Sequence, residues 1–177
     1  MGQTWTVRRA ATDDVPAIMA IAAAAWRDTY NGLLNSGTIE NFIERAYSRE
    51  RVESRVTEDH FYIAELAGGS FAFADALERD NRLELVAIYS LPKVRGHGAG
   101  TALLGKLLEL FPGRDISADV VENNRKGEIF YERRGFAPRE RLEAMLFGEA
   151  VIERRWWRPA DTAVISQGHR GPTSGAV

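Results

Sequence analysis

The chain has 177 residues, of which 45% are hydrophobic and 27% are charged, and its formal net charge at pH 7 is −2. This length suits one domain with a sizeable core, and the small net charge gives no bulk attraction to nucleic acid or to an anionic membrane. The chain has no cysteine, which excludes disulfides, thiolate zinc sites and a cysteine nucleophile. Its three histidines lie far apart in sequence, so we expect no metal site.

The first third of the chain predicts one strand followed by helices. The stretch TWTVRRA alternates as a short strand does. A long Ala-rich helix is expected after Thr12, because two aspartates and an early proline follow this residue. Two shorter helices are predicted near Ile39–Ala46 and Arg49–Val56. No N-terminal segment has the apolar core of a signal peptide, and no stretch is long and apolar enough to cross a membrane. We therefore expect a cytoplasmic protein.

The middle of the chain predicts a hairpin and a central strand. The alternating stretches HFYIAEL and SFAFADALE flank AGGS, and paired glycines between two such stretches favour a hairpin. The stretch NRLELVAIYS is apolar on both faces, which is typical of a strand covered on both sides.

The second half predicts a strand-loop-helix-strand unit. A leucine-striped helix follows the loop VRGHGAG and ends at Pro112, and the stretch DISADVV then predicts a strand. A short helix is expected from the N-cap Asn124 to Gly135. Two more strands are predicted near Met145–Phe147 and Ala150–Arg155.

This order of elements indicates one mixed α/β domain. We place the domain at residues 1–159. Residues 160–177 are rich in small and turn-forming residues and are predicted to be a loosely ordered tail.

The loop VRGHGAG fits three glycine motifs to different degrees. The dinucleotide motif fits Gly96 and Gly98 but fails at Thr101, and the P-loop motif fails at Leu107 inside the leucine-striped helix. The pattern R-x-x-G-x-G is complete. A loop that leads into a helix offers free N–H groups to an anion, although a tight turn without a ligand would also require glycine.

The surroundings of this loop resemble the acyl-CoA-binding core of the GNAT superfamily of N-acetyltransferases. The resemblance rests on the strand end IYSLP, on R-x-x-G-x-G and on a downstream N-x-x-(small)-x-x-F-Y-x-x-x-G-F motif, and it covers roughly residues 5–157. Gly127 stands where the family usually has alanine. The resemblance implies an α/β (α+β) fold with a mostly antiparallel central sheet, flanked by helices and splayed between strands 4 and 5.

The resemblance also implies acetyl-CoA as cosubstrate and a set of residues that hold it. The pantetheine arm would lie along the backbone of Ile88, Tyr89 and Ser90. The pyrophosphate would be held by the N–H groups of the loop, namely Arg95, Gly96, His97, Gly98, Ala99, Gly100 and Thr101. Asn124 would contact the pantetheine arm, with Asn123 as an adjacent alternative.

Two residues are candidates for the proton transfers that the implied reaction requires. Tyr131 matches the position of the family's general acid and would protonate the departing thiolate, although a tyrosine half-buried against the sheet is the alternative. Glu84 is a candidate base because a charged side chain inside an apolar strand requires a reason. Alternatively, Glu84 lies at the exposed start of its strand or pairs with an arginine.

Other polar and aromatic residues have weaker claims to a function. Trp26 and Tyr30 lie one helical turn apart and are predicted to line the acceptor pocket, or else to belong to the core. Three acidic residues of the hairpin would attract a cationic amine or lie on a solvated edge: Asp75, Glu78 and Asp80. His97 is expected beside the cofactor. Trp156 and Trp157 should point to opposite faces of a strand, one into the core and one towards a homodimer contact.

The function predicted from the resemblance is an N-acetyltransferase that transfers an acetyl group from acetyl-CoA to a primary amine of a small molecule or peptide, by direct attack in a ternary complex. A non-catalytic acyl-CoA-binding sensor is the alternative. The two failed motifs disfavour a nucleotide-binding protein. The acceptor has no signature in the sequence.

Overall fold

The computed structural model describes residues 4–161. The predicted tail therefore lies outside the described residues apart from its first two positions. Five α-helices are present in the described part: α1 (Val15–Tyr30), α2 (Ser36–Ala46), α3 (Arg49–Glu58), α4 (Ala99–Leu110) and α5 (Arg125–Glu132). No helix among these residues is long and apolar enough to cross a membrane.

Seven strands form one sheet in the order β1-β2-β3-β4-β5-β7-β6. Their bounds are β1 (Thr6–Arg9), β2 (His60–Leu66), β3 (Gly69–Arg79), β4 (Arg82–Ser90), β5 (Asp115–Val121), β6 (Ala137–Leu146) and β7 (Glu149–Arg158). All neighbours are antiparallel except β4 and β5, which run parallel. The predicted fold class is confirmed.

The sheet opens between β4 and β5, as predicted. These two strands pair only at Arg82–Glu84 against Asp115–Ser117, although β4 continues for six more residues to Ser90. A β-bulge at Val86 adds one residue to β4 opposite β3, because Asp75 pairs with Ala87 and Ala76 pairs with Leu85. Bulges bend a strand and increase its twist, so the bulge directs the end of β4 away from β5.

The core has one cluster on each face of the sheet. Helices α1, α2 and α3 cover one face, where the buried side chains include Trp26, Phe61 and Phe73. Helix α4 packs on the other face through Leu103 and Leu107. The leucine stripe that predicted α4 is thus the stripe that the helix buries.

The last hairpin is longer than predicted. Strands β6 and β7 extend well beyond the two predicted stretches, and Phe147, expected in a strand, lies in the turn with a φ of 46°. β6 is an edge strand whose first five residues are all exposed. The first half of β6 therefore lacks the apolar alternation from which a strand is predicted, and alternation begins only at Leu142.

Candidate active site

The splay between β4 and β5 forms a cleft of about 340 Å³. It is lined by residues of β4, β5, the glycine loop, α4, α5 and the C-terminal end of α1. The predicted cofactor-binding residues that line it are Ile88, Tyr89, Ser90, Arg95, Gly96, Gly98, Ala99, Gly100, Thr101, Asn124 and Tyr131. His97 does not line it. The fold therefore brings together residues from Ala25 of α1 to Arg134, which follows α5, although the two lie far apart in sequence.

One edge of β4 is open toward the cleft. Leu91 N–H donates to the Phe71 carbonyl of β3 at 2.9 Å. Backbone groups alternate in direction along an antiparallel pair, so those of Tyr89 also face β3, while those of Ile88 and Ser90 face away from it. Since β5 has already diverged there, the backbone of Ile88 and Ser90 is available to an extended ligand. Tyr89 also lines the cleft, but Ile88 and Ser90 rather than Tyr89 offer backbone groups at this edge.

The glycine loop supplies fewer free N–H groups than predicted. The N–H of Arg95 donates to Pro92 and that of His97 donates to Val94, so these two donors are occupied within the loop. Gly98 is the N-cap of α4 with a φ of 93°, a conformation that favours glycine. The first-turn N–H groups of α4 have no acceptor within the helix and point toward the cleft, which suits an anion.

Gly100 allows α4 to approach α5 closely. A Cβ atom at this position would lie 2.8 Å from the ring atom Cε2 of Phe130. The Arg134 guanidinium covers the same ring at 3.9 Å from its centroid and also donates to Thr101 Oγ1. Arg134 lines the cleft but was absent from the predicted site, because two successive arginines after a helix are usually solvated.

Asn124 caps α5 at the mouth of the cleft. Its Oδ1 accepts the Gly127 N–H at 3.1 Å and its side chain is buried. A Cβ atom at Gly127 would lie 2.9 Å from Asn124 Nδ2, so the glycine makes room for the capping amide. The neighbouring Asn123 is exposed and does not line the cleft, which favours Asn124 over its alternative.

Tyr131 lines the cleft from α5. The residue is buried beside Phe136 and Trp156, with ring centroids 5.0 and 6.5 Å away. Burial, together with Tyr89 and Asp119, raises the pKa of the Tyr131 phenol. The phenol therefore remains protonated near neutral pH and can donate a hydrogen bond into the cleft.

Glu84 lies away from this cleft. It occupies the paired start of β4, and its Oε2 accepts from Arg79 Nε at 3.1 Å. Arg82 lies 4.0 Å from the same oxygen. The geometry thus matches the alternative given for Glu84, a carboxylate paired with arginine, and offers no support for a role as base.

The two aromatic residues predicted to line the acceptor pocket have different environments. Tyr30 lines the cleft from α1. Trp26 is 3% exposed and stacks on Phe42 at 3.7 Å between ring centroids, so it belongs to the core. Trp156 is also buried, whereas Trp157 is covered by the guanidinium groups of Arg82 and Arg139.

The three acidic residues of the hairpin, Asp75, Glu78 and Asp80, have different environments and do not form one solvent-exposed edge. Asp75 is fully buried, and its Oδ2 accepts from Arg55 Nε of α3 at 2.9 Å. Glu78 forms an ion pair with Arg114, and its Oε1 lies 3.1 Å from His60 Nε2. Of the three residues, only Asp80 is an exposed turn residue free of sheet pairing.

An acidic residue of α1 bridges two cations at the cleft mouth. Asp28 Oδ2 accepts from Arg95 Nη1 of the glycine loop, and it accepts from Lys126 Nζ of α5 at 2.9 Å. These hydrogen bonds lower the pKa of Asp28. Because Arg95 and Lys126 both line the cleft, the carboxylate neutralises charge that an anionic ligand would otherwise meet.

Replacing Asp28 by asparagine should therefore tighten the binding of acetyl-CoA about two- to fivefold, the range expected for a partly exposed ion pair. Titration calorimetry at low salt measures the effect, which should shrink at 0.5 M salt. Glu40→Gln removes the carboxylate of the exposed Arg27–Glu40 pair and is the matched control. Weaker binding by the Asp28 variant would show instead that Asp28 orients the two cations for the ligand.

Comparisons with known proteins identify the family of this chain. The model of the "Acetyltransferase (GNAT) family" matches residues 18–136. A Mycobacterium tuberculosis protein named as a probable N-acetyltransferase is 26% identical over 139 residues, which cover 73% of this chain and 78% of that protein. Spermidine N(1)-acetyltransferase of Thermoplasma acidophilum is 24% identical over 139 residues, or 73% of this chain and 86% of that one.

Solved structures of N-acetyltransferases share the fold. The crystal structure of PaiA N-acetyltransferase from Thermoplasma acidophilum in complex with coenzyme A has a TM-score of 0.77 and 20% identity, and the match covers 88% of this chain and 99% of that one. The family match extends from α1 to the end of the α5 motif and contains every residue that lines the cleft. The chain therefore belongs to the acetyltransferase (GNAT) family.

Proposed function

We propose that the protein binds acetyl-CoA in the cleft between β4 and β5 and transfers its acetyl group to a primary amine by direct attack. The observation that carries this proposal is the cleft itself, where the open edge of β4, the N-terminus of α4 and Tyr131 lie along one channel. These three parts match the needs of a pantetheine arm, a pyrophosphate and a leaving thiolate.

Different residues of the cleft would bind the pantetheine arm and the phosphate groups of acetyl-CoA. Ile88 and Ser90 would pair with the amides of the pantetheine arm as an additional strand would. Arg95, Lys126 and Arg134 would neutralise phosphate charge together with the first N–H groups of α4.

Tyr131 would act as the general acid at the thioester end. Attack by the amine nitrogen forms a C–N bond and breaks the C–S bond, and the departing thiolate takes the phenol proton. A backbone N–H near Ser90 would meet the oxygen of the tetrahedral intermediate.

An acceptor screen tests this proposal. Purified protein with acetyl-CoA and a panel of spermidine, ethylamine, 2-phenylethylamine, lysine and an alanyl peptide should release free CoA thiol only when a suitable amine is present. Calorimetry without the amine should show binding at micromolar acetyl-CoA. Absence of binding at high micromolar concentrations would contradict the proposal, and tight binding without transfer to any amine would favour a sensor.

A further inference from the structure

A tryptophan outside the cleft is hydrogen-bonded to the glycine loop. Trp5 immediately precedes β1, and its Nε1 donates to the carbonyl oxygen of His97 at 2.7 Å. A Cβ atom at Gly98 would lie 3.7 Å from the same Nε1. The indole therefore lies against the His97–Gly98 peptide, at the end of the loop that leads into α4.

The indole is itself held by the sheet. Its ring packs edge-to-face on Phe71 of β3, with 6.1 Å between the ring centroids, and it packs against the core cluster beneath α4. Phe71 also supports the segment before the loop, because Lys93 Nζ lies 5.0 Å from the centroid of its ring. Two aromatic residues from the β1 side of the sheet therefore hold this segment at Lys93 and at His97.

The hydrogen bond from Trp5 fixes the direction of the neighbouring N–H group. The described residues contain no cis peptide bond, and in a trans peptide the carbonyl and the following N–H point in opposite directions. The Gly98 N–H is therefore directed away from the indole. Trp5 does not line the cleft, whereas Gly98 does. No backbone carbonyl within residues 4–161 accepts from this N–H, so it is available to a ligand in the cleft.

The loop needs such a restraint at this peptide. Gly96 and Gly98 have φ values of 82° and 93°, and glycine restricts the backbone less than any other residue. The backbone hydrogen bonds within the loop involve the N–H groups of Arg95 and His97 and do not include the His97–Gly98 peptide. The contact with Trp5 is therefore the one that orients this peptide in the described part of the chain.

We infer that Trp5 is a positioning residue for the pyrophosphate of acetyl-CoA: by holding the His97 carbonyl, its indole N–H directs the Gly98 N–H toward the phosphate oxygens. The inference rests on the proposed function, because it concerns the binding of the same cosubstrate. Trp5 acts from outside the cleft and contacts no reacting atom.

The test is Trp5→Phe, which removes the indole N–H and keeps an aromatic ring beside Phe71. The dissociation constant of acetyl-CoA should rise about tenfold, the lower range for one hydrogen bond to a charged group, and KM for acetyl-CoA should rise with it. The kcat at saturating acetyl-CoA should stay within about twofold, because only cosubstrate binding is weakened. Calorimetry and steady-state kinetics with the best amine of the panel measure these quantities.

Trp157→Phe is the matched control. Trp157 is a half-buried tryptophan of β7 that does not line the cleft, so its replacement should leave acetyl-CoA affinity and kcat within about twofold of the original protein. A lower kcat at unchanged KM in Trp5→Phe would overturn the inference, because a fraction of inactive protein would then explain the loss and the role of Trp5 would be structural.

The amide resonance of Gly98 gives a readout that does not depend on turnover. In original protein labelled with ¹⁵N-glycine, the Gly98 proton resonance should move downfield on saturation with acetyl-CoA, as expected for a new hydrogen bond to a phosphate. The shift should be much smaller in Trp5→Phe. Absence of a shift in the original protein would overturn the inference even if the variant did not fold.

Acetyl-CoA affinity separates this inference from the function on which it rests. If the original protein and Trp5→Phe bind acetyl-CoA equally well, the role of Trp5 is wrong and the acetyltransferase function stands. If the original protein does not bind acetyl-CoA at high micromolar concentrations, both proposals fail.

Discussion

Replacing Tyr131 by phenylalanine is expected to lower kcat for acetyl transfer about 100-fold, the lower range for loss of a general acid. The substitution keeps the ring that packs against Phe136 and Trp156 and removes only the hydroxyl. Acetyl-CoA should therefore bind within about twofold of its original affinity. Steady-state kinetics with the best amine of the panel, together with calorimetry, measures both quantities.

The raised pKa of Tyr131 adds a second signature. Because the phenol remains protonated well above pH 8, no decline of kcat on the alkaline side should arise from Tyr131 below about pH 10. Tyr62→Phe removes another buried tyrosine hydroxyl that lies on β2, outside the cleft, and is the matched control. Equal turnover in the Tyr131 variant and the control would exclude the acid role.

Replacing Arg55 by leucine should lower the free energy of unfolding substantially. Arg55 Nε is bonded to the fully buried Asp75, and its Nη1 donates to the Ala46 carbonyl at 3.0 Å. Removing one partner of a buried ion pair typically costs about 3–5 kcal/mol, because the other charge remains without compensation. Urea unfolding at pH 8 measures the free energy of unfolding.

The loss of stability caused by Arg55→Leu should be smaller at low pH than at high pH. Burial outweighs the attraction of Arg55 and raises the pKa of Asp75 to about 7, from an ordinary value of 3.8. The folded state thus binds this proton more tightly than the unfolded state, and the contribution of Asp75 to stability falls as pH rises from about 4 to 7. Without Arg55 the pKa rises further, so the variant should lose less stability at pH 5 than at pH 8.

A substitution on the same helix controls for the loss of an arginine. Arg49 of α3 forms an exposed ion pair with Glu53, and Arg49→Leu should leave the free energy of unfolding nearly unchanged. Equal losses for the Arg55 variant at both pH values would contradict the assignment of the cost to the Asp75 charge.

Local patterns in the sequence predict most of this fold. The hairpin between β2 and β3, the leucine face of α4 and the cap at Asn124 follow from residues close together in the chain. The turn itself lies at Ala67-Gly68, one residue before the predicted glycine pair, because Gly69 already belongs to β3. The splayed sheet is expected only from the family resemblance. The first half of β6 is the exception, because its exposed, mostly charged residues show no apolar alternation.

The site is harder to predict from the sequence, because tertiary packing decides which charged side chains pair and which are buried. The pairing of Glu84 with Arg79 depends on the β3–β4 register, and Asp75 is buried by α3, which lies about 20 residues earlier. Residue spacing in the sequence therefore does not predict these ion pairs.

The decisive experiment is a crystal structure of the protein with acetyl-CoA bound. We expect the pantetheine arm to pair with the backbone of Ile88 and Ser90 and the pyrophosphate to lie against the N-terminus of α4. The thioester sulfur should lie within hydrogen-bond distance of Tyr131 Oη. Acetyl-CoA bound outside the cleft, or with its sulfur more than about 5 Å from that oxygen, would contradict this expectation.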